Sequence, residues 1–299
     1  MSEFATLLYG KDSRNPRIAR ITLNRPERLN AISPQMPGEI RGAVQRANDD
    51  DEVHVIVVQG AGRAFCAGYD MKESAERPGE HEWLQTEMPW DPMVDYRWMK
   101  GATDDIMSLW RSYKPTICRV QQYAVAGGSD IALSCDLLVL EKTARIGYMP
   151  TRVWGCPSTA MWLYRVGMQR AKRLLFTGDT IDGATAKEWG LAIDAVEPQE
   201  LDAAVDALAE RIAGVPRSML MMQKLMINQA YENMGLASTQ MIATVFDGIT
   251  RHNPEGVWFR AHAEKHGFHS AVEWRDSGQP IPEGEEARRT VRELRGQTK

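Results

Sequence analysis

Cysteine is scarce in this chain, and no apolar run is long. Four cysteines stand in 299 residues, at Cys66, Cys118, Cys135 and Cys156, with no C-x-x-C pair. A zinc cage or a redox dithiol needs closer spacing, so the expectation is buried free thiols in a reducing compartment. The best apolar runs, residues 53–58 and 219–222, are far too short to cross a bilayer. An excess of positive charge is missing too. The 36 Lys and Arg against 40 Asp and Glu give a net charge of −4, which leaves no basic footprint for nucleic acid to select. The first twenty residues carry Glu3, Lys11, Asp12 and Arg14 rather than a basic stretch followed by a long apolar one. A cytoplasmic location without a membrane partner is therefore expected. No internal repeat is visible, and the glycines at 60, 62, 127 and 128 do not form a dinucleotide fingerprint. No metal and no separate cofactor is expected.

What remains is an ordinary globular composition, at a length that suits one large domain or two smaller ones. Residues 18–23, 53–59, 116–120 and 137–140 read as strands. Between the first two, 33–48 reads as a helix with Ser33 as cap and Pro34 in the first turn, and a short helix begins at Gly127 or Gly128. Strand and helix in alternation predict a mainly parallel sheet. After Val196 the pattern becomes helical, over 200–212, 216–232 and 236–247. Met219, Met221, Met222 and Met226 share a face there, which fits core or subunit packing better than an adaptive ligand surface. The organisation expected is a core over 1–200, a helical oligomerisation region over 201–270 and a polar tail over 271–299. Residues 76–101 fit neither pattern. They carry Trp83, Trp90 and Trp98 among three prolines and read as an irregular lid packed over a pocket, ahead of a helix near 104–110.

Two segments point to chemistry. Arg63-Ala-Phe-Cys-Ala-Gly-Tyr-Asp70 follows a strand, where Gly68 lets the Tyr69 amide face a cleft or makes a plain turn. In Tyr123-Ala-Val-Ala-Gly-Gly-Ser-Asp130, two glycines at a strand-to-helix junction free helix N-terminal amides for developing negative charge. Asp130, one turn into that helix, is either a capping residue or a carboxylate beside whatever the Gly127 amide binds.

Together with Asn24-Arg-Pro-Glu-Arg-Leu-Asn-Ala31 and the segment from Thr177 to Leu191, these motifs stand in the order and spacing of the crotonase, or enoyl-CoA hydratase/isomerase, family, which the chain resembles over residues 18–268. The resemblance implies an α/β spiral of ββα units with a helical C-terminal trimerisation region. It also implies homotrimers or dimers of trimers that bind an acyl-CoA thioester, with coenzyme A entering as part of the substrate. By similarity the amides of Tyr69 and Gly127, next to Gly68 and Gly128, form an oxyanion hole, with Asp130 as acid/base. Arg28, Leu29 and Ala31 match the loop around the adenine end of CoA, and Ala67 a contact to the purine. Arg63 and Lys72 match basic positions near the phosphates and pantetheine, and Phe259 and Lys265 the region that reaches a neighbouring subunit's CoA.

The chain departs from the two-carboxylate hydratase pattern, in which a second acid follows in a Pro-Glu step. Here Pro150 or Thr151 falls at that position, and neither exchanges a proton as a carboxylate does. Asp130 is also one methylene shorter than Glu. Three possibilities stay open. Asp130 works alone, or the lid supplies a partner among His81, Glu87, Asp91 and Asp95, or Tyr148 or Arg152 orients water or substrate. Hydration of a 2-enoyl-CoA leads the functions implied. Double-bond isomerisation or other enolate chemistry (thioester hydrolysis, decarboxylation, dehalogenation) and a non-catalytic acyl-CoA binder stand beside it.

Overall fold

The computed structural model describes residues 4–71 and 90–296. Nine strands are named here in chain order: β1 Leu7–Lys11, β2 Ile18–Leu23, β3 Val55–Gly60, β4 Thr116–Val120, β5 Tyr123–Val125, β6 Leu137–Glu141, β7 Arg145–Gly147, β8 Thr180–Asp182 and β9 Asp194–Val196. Six make one sheet in the order β1-β2-β3-β4-β6-β9, and three make a second in the order β5-β7-β8. In the larger sheet only β1 and β2 pair antiparallel.

Both faces of that sheet are covered, which is why β3 opens on the unbroken apolar run Val55–Val58 rather than alternating. Val55 and Val57 of β3, with Ile117 and Val139, pack on Leu201, Val205, Ala209 and Ala213 of the helix Leu201–Ala213. The intervening Ile56 and Val58 turn to the main core, where the helix Met36–Asp49 inserts Met36, Ile40, Ala43 and Val44. That helix does not start on Ser33. Gln35 precedes its first turn, and the Ser33 hydroxyl is buried without a partner among the described residues.

Two further expectations are corrected and a third is narrowed. From Pro92 onward the tryptophan-rich stretch is a regular helix, Pro92–Ile106, because Asp91 accepts a hydrogen bond from the Met93 amide at 2.9 Å and proline opens the first turn. Trp83 and the remainder of the lid reading fall on 72–89, outside the described residues. The polar tail contains the helix Gly284–Leu294, whose Ala287 is fully buried. With Ile281, Val291 and Leu294 it packs on a cluster built around Trp154, Trp258 and Phe259. Met219, Met222 and Met226 on the helix Arg217–Asn233 are exposed in the single chain, so they fill no core of their own subunit.

Cys66, Cys118 and Cys135 are buried free thiols and Cys156 is half-buried. Among the described residues no helix is long and apolar enough to cross a membrane.

Candidate active site

Two chain turns meet where the sheets adjoin. After β3 the chain runs to Cys66, which bridges to Ala124 of β5, and then to Tyr69, which bridges to Ile32. The second bridge uses the amides of Ile32 and Asp70, bonded to the carbonyls of Gly68 and Ile32. The Tyr69 amide between them has no acceptor among the described residues. Gly68 makes this possible with φ +94°, and a side chain there would meet Ala126 Cβ at 2.7 Å and the Gly127 nitrogen at 3.3 Å. Across from it β5 ends at Ala126, held at φ 51° and ψ −130°, a strained conformation for a residue with a side chain. The helix Gly127–Leu133 then begins, and the Gly127 amide is one of its unpaired N-terminal donors. Gly127 sits against the Tyr69 ring, and Gly128 so close to the Cys66 carbonyl that a methyl group would lie 2.3 Å from its oxygen.

These turns open on a cavity of about 220 Å³ whose wall includes Ala67, Tyr69, Gly127, Asp130 and Tyr148. Trp98, Met99, Trp154, Phe268 and Val272 make the wall largely apolar. Asp130 is 3% exposed and accepts a hydrogen bond from the Thr159 hydroxyl at 2.5 Å. Burial pushes its carboxyl up to about 7. The Thr159 hydrogen bond opposes that rise and the negative charge of Asp247 adds to it.

Asp247 is the carboxylate that sequence reasoning missed. It comes from the helix Leu236–His252 and lines the same cavity. Its Oδ1 accepts from the Cys156 amide at 3.0 Å and its Oδ2 from the Arg251 guanidinium. Arg251 also donates to Asp95 at 3.0 Å, and Asp95 accepts from the Trp90 indole, which stacks on His252 with centroids 4.1 Å apart. Asp95 is thus a buried ion-pair partner of Arg251. Asp91 caps its helix.

The remaining sequence-derived positions fall as follows. Leu29 and Ala31 lie beside the Tyr69 turn, with the Ala67 amide bonded to the Leu29 carbonyl at 3.1 Å, while Arg28 and Arg63 are exposed. Arg25 ties that loop down by bonding the Ala31 carbonyl and, at 2.8 Å, Asp70. Pro150 lines the cavity; Thr151 does not, its hydroxyl bonding the Leu175 carbonyl at 2.6 Å. Arg152 bonds the carbonyls of Arg275 and Gln279 and anchors the C-terminal chain. Phe259 is fully buried in the single chain, its ring 5.2 Å from that of Trp154 behind the cavity wall. Lys265 is exposed, and Lys72, His81 and Glu87 lie outside the described residues.

A sequence model of the enoyl-CoA hydratase/isomerase family matches residues 13–271. The chain is 31% identical over 237 residues to the protein named probable enoyl-CoA hydratase echA8 of Mycobacterium tuberculosis, covering 77% of this chain and 84% of that protein. It is 32% identical over 200 residues to (E)-benzylidenesuccinyl-CoA hydratase of Thauera aromatica, covering 66% of this chain and 73% of that protein. The crystal structure of an enoyl-CoA hydratase from Mycobacterium smegmatis superimposes with a TM-score of 0.86 at 47% identity, covering 92% of this chain and 94% of that one.

Proposed function

The chain belongs to the enoyl-CoA hydratase/isomerase family, and from that premise we propose that it adds water to a 2-enoyl-CoA thioester, with the amides of Tyr69 and Gly127 holding the thioester oxygen and Asp130 delivering the proton to Cα. The observation that carries this reading is a buried carboxyl, poised near neutrality, in one cavity wall with two unengaged main-chain donors. When a nucleophile adds at Cβ, the electron pair of the double bond moves toward the carbonyl and the oxygen becomes an enolate. Two fixed amides in a dry site favour that charge by several kcal/mol, at about 3–4 kcal/mol per donor. The carboxyl of Asp130 then quenches the carbanion at Cα, a transfer that is efficient because its proton affinity matches the working pH.

In this reading the CoA moiety leaves the cavity past Ala67 toward the loop of residues 28–31, with Arg63 and Lys72 at its phosphates and pantetheine and Lys265 toward a neighbouring subunit. The apolar wall suits a bulky or aromatic acyl group, and a similar protein carries an aromatic substrate in its name. Three chains, or two sets of three, form the assembly.

Loss of the conjugated enoyl absorbance, followed over 2-butenoyl-, 2-octenoyl- and cinnamoyl-CoA, tests the reading. The native protein hydrates at least one of them, and Asp130→Asn lowers kcat by about 10²–10⁴-fold. No hydration by the native protein on any thioester overturns it, and deuterium uptake at Cα with net movement of the double bond would identify an isomerase.

A further inference from the structure

A two-carboxylate hydratase needs a base for water as well as an acid for carbon, and the position where sequence comparison looks for the base holds Pro150 or Thr151. The cavity nevertheless contains a second carboxylate. Asp247 stands in its wall on a helix far along the chain, 3% exposed, with one oxygen fixed by the Cys156 amide and the other by Arg251. Each of those oxygens keeps a second lone pair, so a bound water can still donate to it.

Arg251, 4% exposed, pairs with both Asp247 and Asp95, and Asp95 is also held by Trp90 and lies 3.6 Å from the His252 ring nitrogen. One buried guanidinium therefore serves two carboxylates. Crowding two buried carboxylates on one guanidinium is costly, and the negative charge of Asp247 also raises the proton affinity of Asp130. A group that burdens the fold and tunes the acid across the cavity is placed for chemistry.

We propose that Asp247 is the general base of the hydration and Asp130 its general acid. The inference rests on the hydratase reading above. The Asp247 carboxylate takes a proton from water as the water oxygen bonds to Cβ. The double-bond pair moves to the enolate and returns to take the proton of the Asp130 carboxyl at Cα. Asp247 ends protonated and Asp130 ionised, and one proton returning between them resets the site without net uptake or release. Other groups facing Asp130 take no part in these proton transfers. Burial pushes the thiols of Cys66 and Cys156 up to about 12 and holds the phenols of Tyr69 and Tyr148 well above their usual value.

The test separates carbon chemistry from water chemistry. Exchange of Cα protons of a saturated acyl-CoA in D2O needs only Asp130 and the two amides, whereas hydration of the matching 2-enoyl-CoA also needs the base. Asp247→Asn in the full-length protein is expected to lose hydration at least about 100-fold in kcat while exchange stays within a few-fold. Should that variant not fold, Asp247→Glu keeps a carboxylate for Arg251 but displaces it, and hydration is expected to fall at least about tenfold with exchange retained. Hydration within a few-fold of native in either folded variant, or exchange falling in step with hydration, overturns the proposal. A native protein that neither exchanges nor hydrates any thioester removes the reading beneath it.

Discussion

Asp130 ionises at a cost because it is buried beside the charge of Asp247. Its folded value of about 7 lies above the ordinary 3.8, so protonation favours the folded state. The contribution is fully present below about pH 4 and is lost as pH rises through about 7, at most about 4 kcal/mol over the whole window. Asp130→Asn keeps the Thr159 hydrogen bond without the charge. It is expected to raise Tm over native by several degrees at pH 8 and hardly at all at pH 4, by thermal unfolding at both pH values. Equal effects at the two would mean that Asp130 is not the titrating burden. At this scale the sequence was half legible. Asp130 stands out because a glycine pair and a helix start surround it. Asp247 does not, because its place in the cavity depends on how a remote helix folds back.

The helix Leu236–His252 is amphipathic with its faces reversed. Gln240, Thr244, Asp247 and Arg251, at helical spacing, are buried, while Ile242, Val245, Phe246 and Ile249 are exposed. The two stripes separate only over the whole helix to His252, five residues beyond the span expected from the sequence. Together with Met219, Met222 and Met226 the apolar face gives a large uncovered area, the kind that marks association between chains. Light scattering is expected to give a mass three or six times 33.6 kDa, and Phe246→Asp to lower it. A native mass of one chain would contradict the assembly. Other elements were legible in proportion to their length. β2 and β4 have the expected bounds because each keeps an apolar majority over five or six residues. β5, β7, β8 and β9 have three residues each, too few for any period to register. The Gly284–Leu294 helix hides in a charged composition, although Ala287, Val291 and Leu294 keep a helical spacing toward the Trp258 cluster.

Across the whole molecule, the large sheet fixes the ends of β3 and β4, the small sheet carries the turn at Ala126, and the C-terminal helices close the cavity from the far side. Alternation of strand and helix announced the first of these layers. The closure was not announced, because it joins residues near 69 and 130 to residues near 247 and 268, and no local pattern encodes such a meeting. Catalysis therefore depends on the fully folded chain, and its pH dependence reports the assembled site. The most direct measurement is the pH profile of kcat/KM for hydration of the 2-enoyl-CoA that turns over fastest, with native protein and Asp130→Asn side by side. The native rate is expected to fall as pH rises through about 7, as Asp130 loses its proton, and the variant to be slower by orders of magnitude at every pH. A native rate that rises through that range, or a variant that hydrates as fast as the native protein, would contradict it.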